Sequence, residues 1–225
     1  MATIGVETLT TCGPVVVTSS GDFNVLDATS GKLEVMLVHA VNGGYLKPDS
    51  LDHNNHASEA RATKNLDNDT INKRGHLWYL TPAIFIDWLQ KMTYFIESAA
   101  SEANDDPDTS KRRRISYHVS NPTGNGIHVG RLDQLPGDYQ YKENGTLTPL
   151  SQCWTLTLTS CGGLLFAPAI DLNLIWGTLN NSPDMGVCPR PIDNWGGGFQ
   201  GPNIKNGVWY PKRYQRGGVG ERDHH

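Results

Sequence analysis

The 225-residue chain has little of what would make a function easy to read. Cysteine and methionine occur four times each and phenylalanine five times. Cys12, Cys153, Cys161 and Cys188 are too few and too widely spaced for a disulfide scaffold, and no Cys-x-x-Cys pair occurs. They are expected as buried or free thiols; a bridge between Cys153 and Cys161 would close a strand and turn in an oxidising setting. No apolar run approaches the ~20 residues of a membrane helix, so no membrane insertion is expected. Met1 to Thr10 carries neither a basic stretch nor an apolar one, so no secretory signal is expected. Charge of one sign is lacking too: 19 Lys+Arg against 23 Asp+Glu leave a net charge of -4. That balance excludes a dedicated nucleic-acid binder, whose affinity would rest on a clustered basic surface. No Gly-x-Ser-x-Gly elbow, phosphate-binding loop, dinucleotide fingerprint or His-Glu-x-x-His pair is present. Nothing nominates a nucleophile, and no cofactor is expected.

Glycine and proline are plentiful, at 24 and 13 residues, which means many turns between short elements. The expected organisation is one mainly β domain over residues 1–225, an antiparallel β-sandwich of jelly-roll type. Pro14 to Thr18 is β-branched, and Lys32 to His39 alternates before becoming continuously apolar; both read as strands. Residues 42–74 turn polar and read as a long surface excursion, with at most a short helix near Ser58 to Lys64. Thr81-Pro82 then supplies an N-cap and a first-turn proline. Ile84, Trp88, Met92, Phe95, Ile96 and Ala99 follow at helical spacing, which predicts one prominent amphipathic helix over 82–104. Ile115 to Val119 and Ile127 to Leu132 predict a hairpin around a Gly-containing turn. Cys153 to Thr159, Gly163 to Ala167 and Asp171 to Trp176 predict further strands. Residues 180–225, rich in Gly, Pro, Asn and Trp, are expected to have little regular structure and to be ordered by docking. No repeat of solenoid or propeller period is found.

Few constellations could carry chemistry. His53 and His56 stand at i, i+3 with Asp52 and Glu59 nearby, and His39 could fold back as a third zinc ligand. In an Asn-rich loop this spacing is weak evidence, and no metal is assigned. Lys111 to Arg114 is the only basic run and reads as a solvated rim or as a contact for phosphate or sialic acid. His118 and His128 would face each other across the expected hairpin, either as plain cross-strand neighbours or as acid and base in phosphodiester cleavage. Arg112 or Arg114 would then stabilise the developing charge. Trp88 and Phe95 on the helix, with Trp195, Phe199, Trp209 and Tyr210 in the last segment, are candidate binding or interface residues; Trp195, Trp209, Tyr210 and Tyr214, where exposed, could instead stack on sugar rings.

Asp106-Pro107-Asp108, Arg114-Ile115-Ser116-Tyr117, Thr148-Pro149-Leu150 and the stretch Ser160 to Phe166 together resemble part of the major capsid protein of polyomaviruses. Trp154 to Gly162 is similar to a strand of adenovirus fibre heads. Both resemblances cover about a quarter of the chain or less; they imply a virion-type β-sandwich and transfer no functional residue. The expected function is that of a non-enzymatic, self-assembling structural subunit of a virus particle or similar homo-oligomer, contributing to attachment. Its expected location is the virion or a soluble intracellular pool. A glycan-binding, lectin-like module is the first alternative, and a His-dependent hydrolase or nuclease the second.

Overall fold

The computed structural model describes residues 7–9, 28–50, 58–100, 113–120, 124–130, 140–143, 146–159, 162–178, 184–191 and 204–214. The architecture is mainly β and antiparallel. Six strands form its frame: β2 (Val35–His39), β5 (Trp78–Ile86), β6 (Lys91–Ser98), β11 (Trp154–Thr159), β12 (Leu164–Pro168) and β16 (Trp209–Arg213). β2 pairs β5, β5 pairs β6, β6 pairs β11, β11 pairs β12, β12 pairs β16, and β16 returns to β2. The sheet therefore closes on itself as a barrel, rather than stacking as the two layers of a jelly roll. Closure leaves these strands no free edge along their paired lengths.

Between the barrel strands lie hairpins that cap one end. β3 (Tyr45–Pro48) pairs β4 (Ser58–Thr63), β7 (Arg114–Ser120) pairs β8 (Gly124–Gly130), and β13 (Leu174–Gly177) pairs β15 (Cys188–Pro191). β4 joins β8 at Glu59 and His128, which ties two caps together. Smaller pieces complete the described chain: β1 (Glu7–Leu9) runs parallel to β11, β9 (Gln140–Glu143) pairs β10 (Thr146–Pro149), and β14 (Asp184–Gly186) pairs β4. The short helix α1 (Asn68–Asn72) is capped by Asp67, whose carboxylate accepts the Thr70 N–H at 2.6 Å.

Three units of unequal length, 35–86, 91–159 and 164–213, repeat this pattern. Each ends in a barrel strand that begins with a buried tryptophan: Trp78, Trp154 and Trp209. Each indole Nε1–H donates to a carbonyl on the cap hairpin of its own unit, Trp78 to Leu46 at 3.0 Å, Trp154 to Ile115 at 3.0 Å and Trp209 to Trp176 at 3.3 Å. Before each tryptophan a tight turn closes in the same way, with Leu77 N–H donating to Arg74, Cys153 to Leu150 and Val208 to Lys205. Those three residues also accept from the next unit: Leu77 from Ala99, Cys153 from Ala169 and Val208 from Ala40, at 2.8–2.9 Å. In register, each tryptophan stands between two neighbours four residues apart in the unit's numbering, Val35 and Ser98, Tyr94 and Pro168, Leu164 and His39. This regular stagger lets six tilted strands close. Trp176 packs at the centre, 5.5 Å from Trp154, 4.8 Å from Phe166 and 5.2 Å from Trp209 between ring centroids.

The clearest departure from the sequence reading is residues 82–104. No prominent helix forms there; the described part is the hairpin β5–β6. Inward positions Trp78 and Leu80 on one arm and Tyr94 and Ile96 on the other alternate as a strand should. A bulge between Pro82 and Phe85 shifts that alternation by one residue and, with the turn, produces the apparent helical spacing. Thr81 does not cap a helix but donates its hydroxyl to Glu97. Elsewhere Ser58–Thr63 is strand β4 rather than helix, the short helix falling at α1, and the C-terminal segment supplies a barrel strand, β16. Among the described residues Cys153 and Cys188 form no disulfide, and Cys161, the expected partner of Cys153 in a bridge, lies outside them. The strands expected near 32–39, 115–132 and 153–176 are present. Residues 14–18 lie outside the described residues.

Replacing Trp154 by Phe removes ring volume and leaves the buried Ile115 carbonyl without its donor. An expected loss of about 2–4 kcal/mol, read as a lower urea midpoint at unchanged slope, contrasts with less than about 0.5 kcal/mol for the exposed Trp88→Phe.

Candidate functional site

The most exposed large apolar side chain among the described residues is Trp88, 62% accessible. It occupies the turn of the β5–β6 hairpin, at the barrel end away from the caps. Leu89 N–H donates to Ile86 and Gln90 N–H to Asp87, and the Gln90 amide returns to the Asp87 carbonyl at 2.5 Å. Gln90 adopts φ +52, a left-handed conformation that the tight four-residue connection requires. Asp87 and Gln90 are themselves exposed, so an indole, a carboxylate and an amide share one tip.

The hairpin beneath this tip is held on both faces. At the bulge, Thr93 Oγ1 donates to the Ile84 carbonyl at 2.8 Å. Ile86, Ala83, Ile84 and Leu89 pack with Cys153 and Ala169, at the junction of the second and third units. On the outer face Arg114, from β7, lays its guanidinium 3.8 Å from the Phe95 ring centroid and directs Nε and Nη2 to Glu97 Oε1, each at 3.0 Å. Thr81 donates to the other Glu97 oxygen at 2.9 Å. Three strands are thereby cross-braced by one nearly buried ion pair. The tip is thus an apolar plate on a fixed arm, with polar atoms at its edge: a geometry suited to stacking on the face of a sugar ring while accepting its hydroxyls.

Other candidate residues fall differently. Phe95 lies beneath the Arg114 guanidinium, and Trp209 is buried in the core. Tyr210 is partly buried on the barrel's outer face, its phenol pushed above the usual value by burial. Arg114 and its neighbour Arg113 are not a solvated rim, since Arg113 is buried and Arg114 is committed to Glu97 and Phe95. The expected hairpin exists and sets Ser116 opposite His128 and His118 opposite Gly126, so the two histidines occupy diagonal register positions. The side chains of His118 and His128, and the residues Arg112, Trp195 and Phe199, lie outside the described residues. So do Asp52, His53 and His56, and among the described residues no cluster of metal-binding side chains occurs. His39 is buried against asparagine and threonine. Burial raises the Cys153 thiol to about 12, which keeps it protonated and unreactive at neutral pH. Sequence reasoning missed Asp87 and Gln90 as tip residues. The β-branched and aromatic content of Tyr79 to Ile86 and Thr93 to Ile96 was the signal for a hairpin there.

No protein-family model matches the chain, and no curated protein matches it in sequence. Solved structures do resemble it in fold. A designed 3-fold symmetric protein, ThreeFoil, superposes with a TM-score of 0.50 at 13% identity, covering 80% of this chain and 99% of that one. A salivary protein of Culex quiquefasciatus from the Cysteine and Tryptophan-Rich family gives 0.51 at 10% identity, covering 83% and 97%. A chain of the cytolethal distending toxin of Actinobacillus actinomycetemcomitans gives 0.52 at 13% identity, covering 84% and 98%. The shared fold is the β-trefoil, which agrees with the three repeating units and the closed six-stranded barrel. None of these three is a capsid protein, and Trp154 to Thr159, within the stretch similar to a fibre-head strand, is barrel strand β11.

Arg114→Ala strips the nearly buried Glu97 of its cation and the Phe95 face of its cover. An expected loss of about 3–5 kcal/mol is measurable by urea unfolding, with the hairpin residues 83–92 losing protection from amide exchange first.

Proposed function

We propose that this protein is a glycan-binding, lectin-like module of β-trefoil fold that works by recognition and not by catalysis, with Trp88 as its stacking platform. The carrying observation is the exposure of Trp88 on a braced hairpin. A tryptophan left in water forfeits roughly 1.5–3 kcal/mol of burial available to a large apolar side chain, so a tip built to hold one out has a partner to meet. Asp87 and Gln90 supply the acceptor and donor groups that sugar hydroxyls require at the edge of an apolar plate. The β-trefoil fold is compatible with this reading without proving it, since fold alone does not fix function.

Self-assembly is the second reading, because the same exposed indole would be covered equally well by a second copy of the chain. Light scattering separates the two. A monomer across a concentration series with saturable sugar binding supports the module; a concentration-dependent oligomer that Trp88→Ala dissolves supports assembly.

Trp88→Ala is expected to weaken binding to the best glycan of a broad panel by at least about 2 kcal/mol, roughly thirtyfold in Kd, without moving the thermal midpoint. Unchanged binding by a folded Trp88→Ala protein removes Trp88 from the site.

A further inference from the structure

The barrel has three seams where one unit meets the next, and they are not equally secured. The seam β5–β6 continues through the turn 87–90, and β11–β12 through residues 160–163. The third, β16–β2, joins strands separated by the whole intervening chain. At the equivalent register position, opposite the tryptophan, the first two carry Ser98 and Pro168; the third carries His39 opposite Trp209. The one seam with no covalent turn is the one with an ionisable residue at this tryptophan-facing position, the cap-side end of its ladder.

His39 is fully buried and tied to both sides of that seam. Its Nε2 lies 2.8 Å from the Asn206 carbonyl of the Ile204–Gly207 turn, an acceptor, so Nε2 carries a proton. The same carbonyl accepts the Thr178 N–H at 3.1 Å, an approach open only because Gly177 has no Cβ to collide with it. Nδ1 faces Asn42 Oδ1 at 2.9 Å and the Asn42 N–H at 3.3 Å. Oδ1 is fixed as the oxygen because it also accepts the Gly44 N–H at 2.8 Å. The neutral ring therefore accepts from the Asn42 backbone, while a second proton would donate to Oδ1. That bond comes with a charge in a closed site: Trp209 lies 5.0 Å away, and Thr178 Oγ1 is within 3.5 Å of both ring nitrogens. The surrounding elements β2, β3, β13, β16, the turn 40–44 and the turn 204–207 carry no carboxylate. Their charged groups are Lys47, Lys205, Lys212 and Arg213, with Lys64 beside Gly43; their phenols are Tyr45 and Tyr210. An imidazolium here would have the Asn206 and Asn42 oxygens as acceptors but no carboxylate to offset its charge, and its desolvation outweighs those two bonds.

We propose that the β16–β2 seam is an acid-sensitive latch: protonation of His39 loosens the pairing of the first and last units while the two other seams stay closed. The sign agrees. Burial holds the imidazole below its ordinary value, so the opened chain takes up the proton first, and closure weakens as pH falls below about 6.5.

Amide exchange by mass spectrometry at pH 7.5 and 5.5, corrected for intrinsic rates, tests this. Peptides covering β2 and β16 should open more at pH 5.5, by up to about tenfold, the ceiling that proton linkage sets one unit below an ordinary imidazole, with β6 and β12 unchanged. His39→Gln, which keeps a donor for Asn206 but cannot titrate, should abolish the rise. His76, also held low by burial, packs edge-on to Tyr214, whose N–H donates to Glu34 at the far end of the same seam; a rise that survives His76→Gln but not His39→Gln assigns the titration to His39. If His39→Gln does not fold, His39→Ser, the residue of the β5–β6 seam, replaces it. Equal opening of all three seams in the wild-type protein, or a rise that persists without His39, overturns the proposal.

Discussion

Each cap hairpin is tied to the barrel by one buried indole N–H. An indole nitrogen is a donor with nowhere to turn once its ring is in the core, so a partner built into the fold spares the cost of burying it unpaired, a cost that the central Trp176 Nε1 does bear. Here the partners are the carbonyls of Leu46, Ile115 and Trp176, all on the strand that leaves the barrel to form a cap. The bond fixes how far each cap stands from its barrel strand, and the ring beside it fills the space between them. Trp176 is at once an acceptor through its carbonyl and a central ring, its own Nε1 left without a partner among the described residues. The tight turn before each tryptophan and the alanine bond after each unit then follow, because both sit one residue from the fixed point.

The units are alike where closure demands it and different elsewhere, and the differences are where function is sought. The first hairpin between units runs past the ladder and carries Trp88 outward. Its bulge, the Thr93 bridge and the Arg114–Glu97 brace set its direction. At the seam opposite a tryptophan, closure accepts serine, proline or histidine, since the ladder needs only their backbone. A titratable side chain at one of three such positions makes that seam respond to conditions the others ignore.

Much of the strand content was legible, because β-branched alternation in Val35–His39, Arg114–Ser120 and Trp154–Thr159 is a local property. The threefold plan was not. Trp78, Trp154 and Trp209 stand 76 and 55 residues apart, and the shared sequence shrinks to an apolar residue before a tryptophan: Leu77, Cys153 and Val208. What is conserved among the units is backbone hydrogen bonding, which sequence does not display. The 82–104 misreading has the same origin. A bulge and a short turn gave Ile84, Trp88, Met92 and Phe95 the spacing of a helix, and only cross-strand register separates the two. Of the site, Trp88 was legible as a residue to watch, while its exposure and its polar neighbours depended on the turn. Arg114 was legible as a charge, but its partner Glu97 lies on another strand, beyond the reach of local pattern.

The central claim, that three equivalent indole bonds hold caps to barrel, is tested most directly by hydrogen exchange of the tryptophan side chains followed by NMR. At pH 7.5, where the β16–β2 seam is closed, the Nε1 hydrogens of Trp78, Trp154 and Trp209 should exchange at one common slow rate set by global unfolding, while that of Trp88 exchanges as a free indole would. Exchange of any of the three as fast as Trp88, or rates among them differing by more than about tenfold, would contradict it.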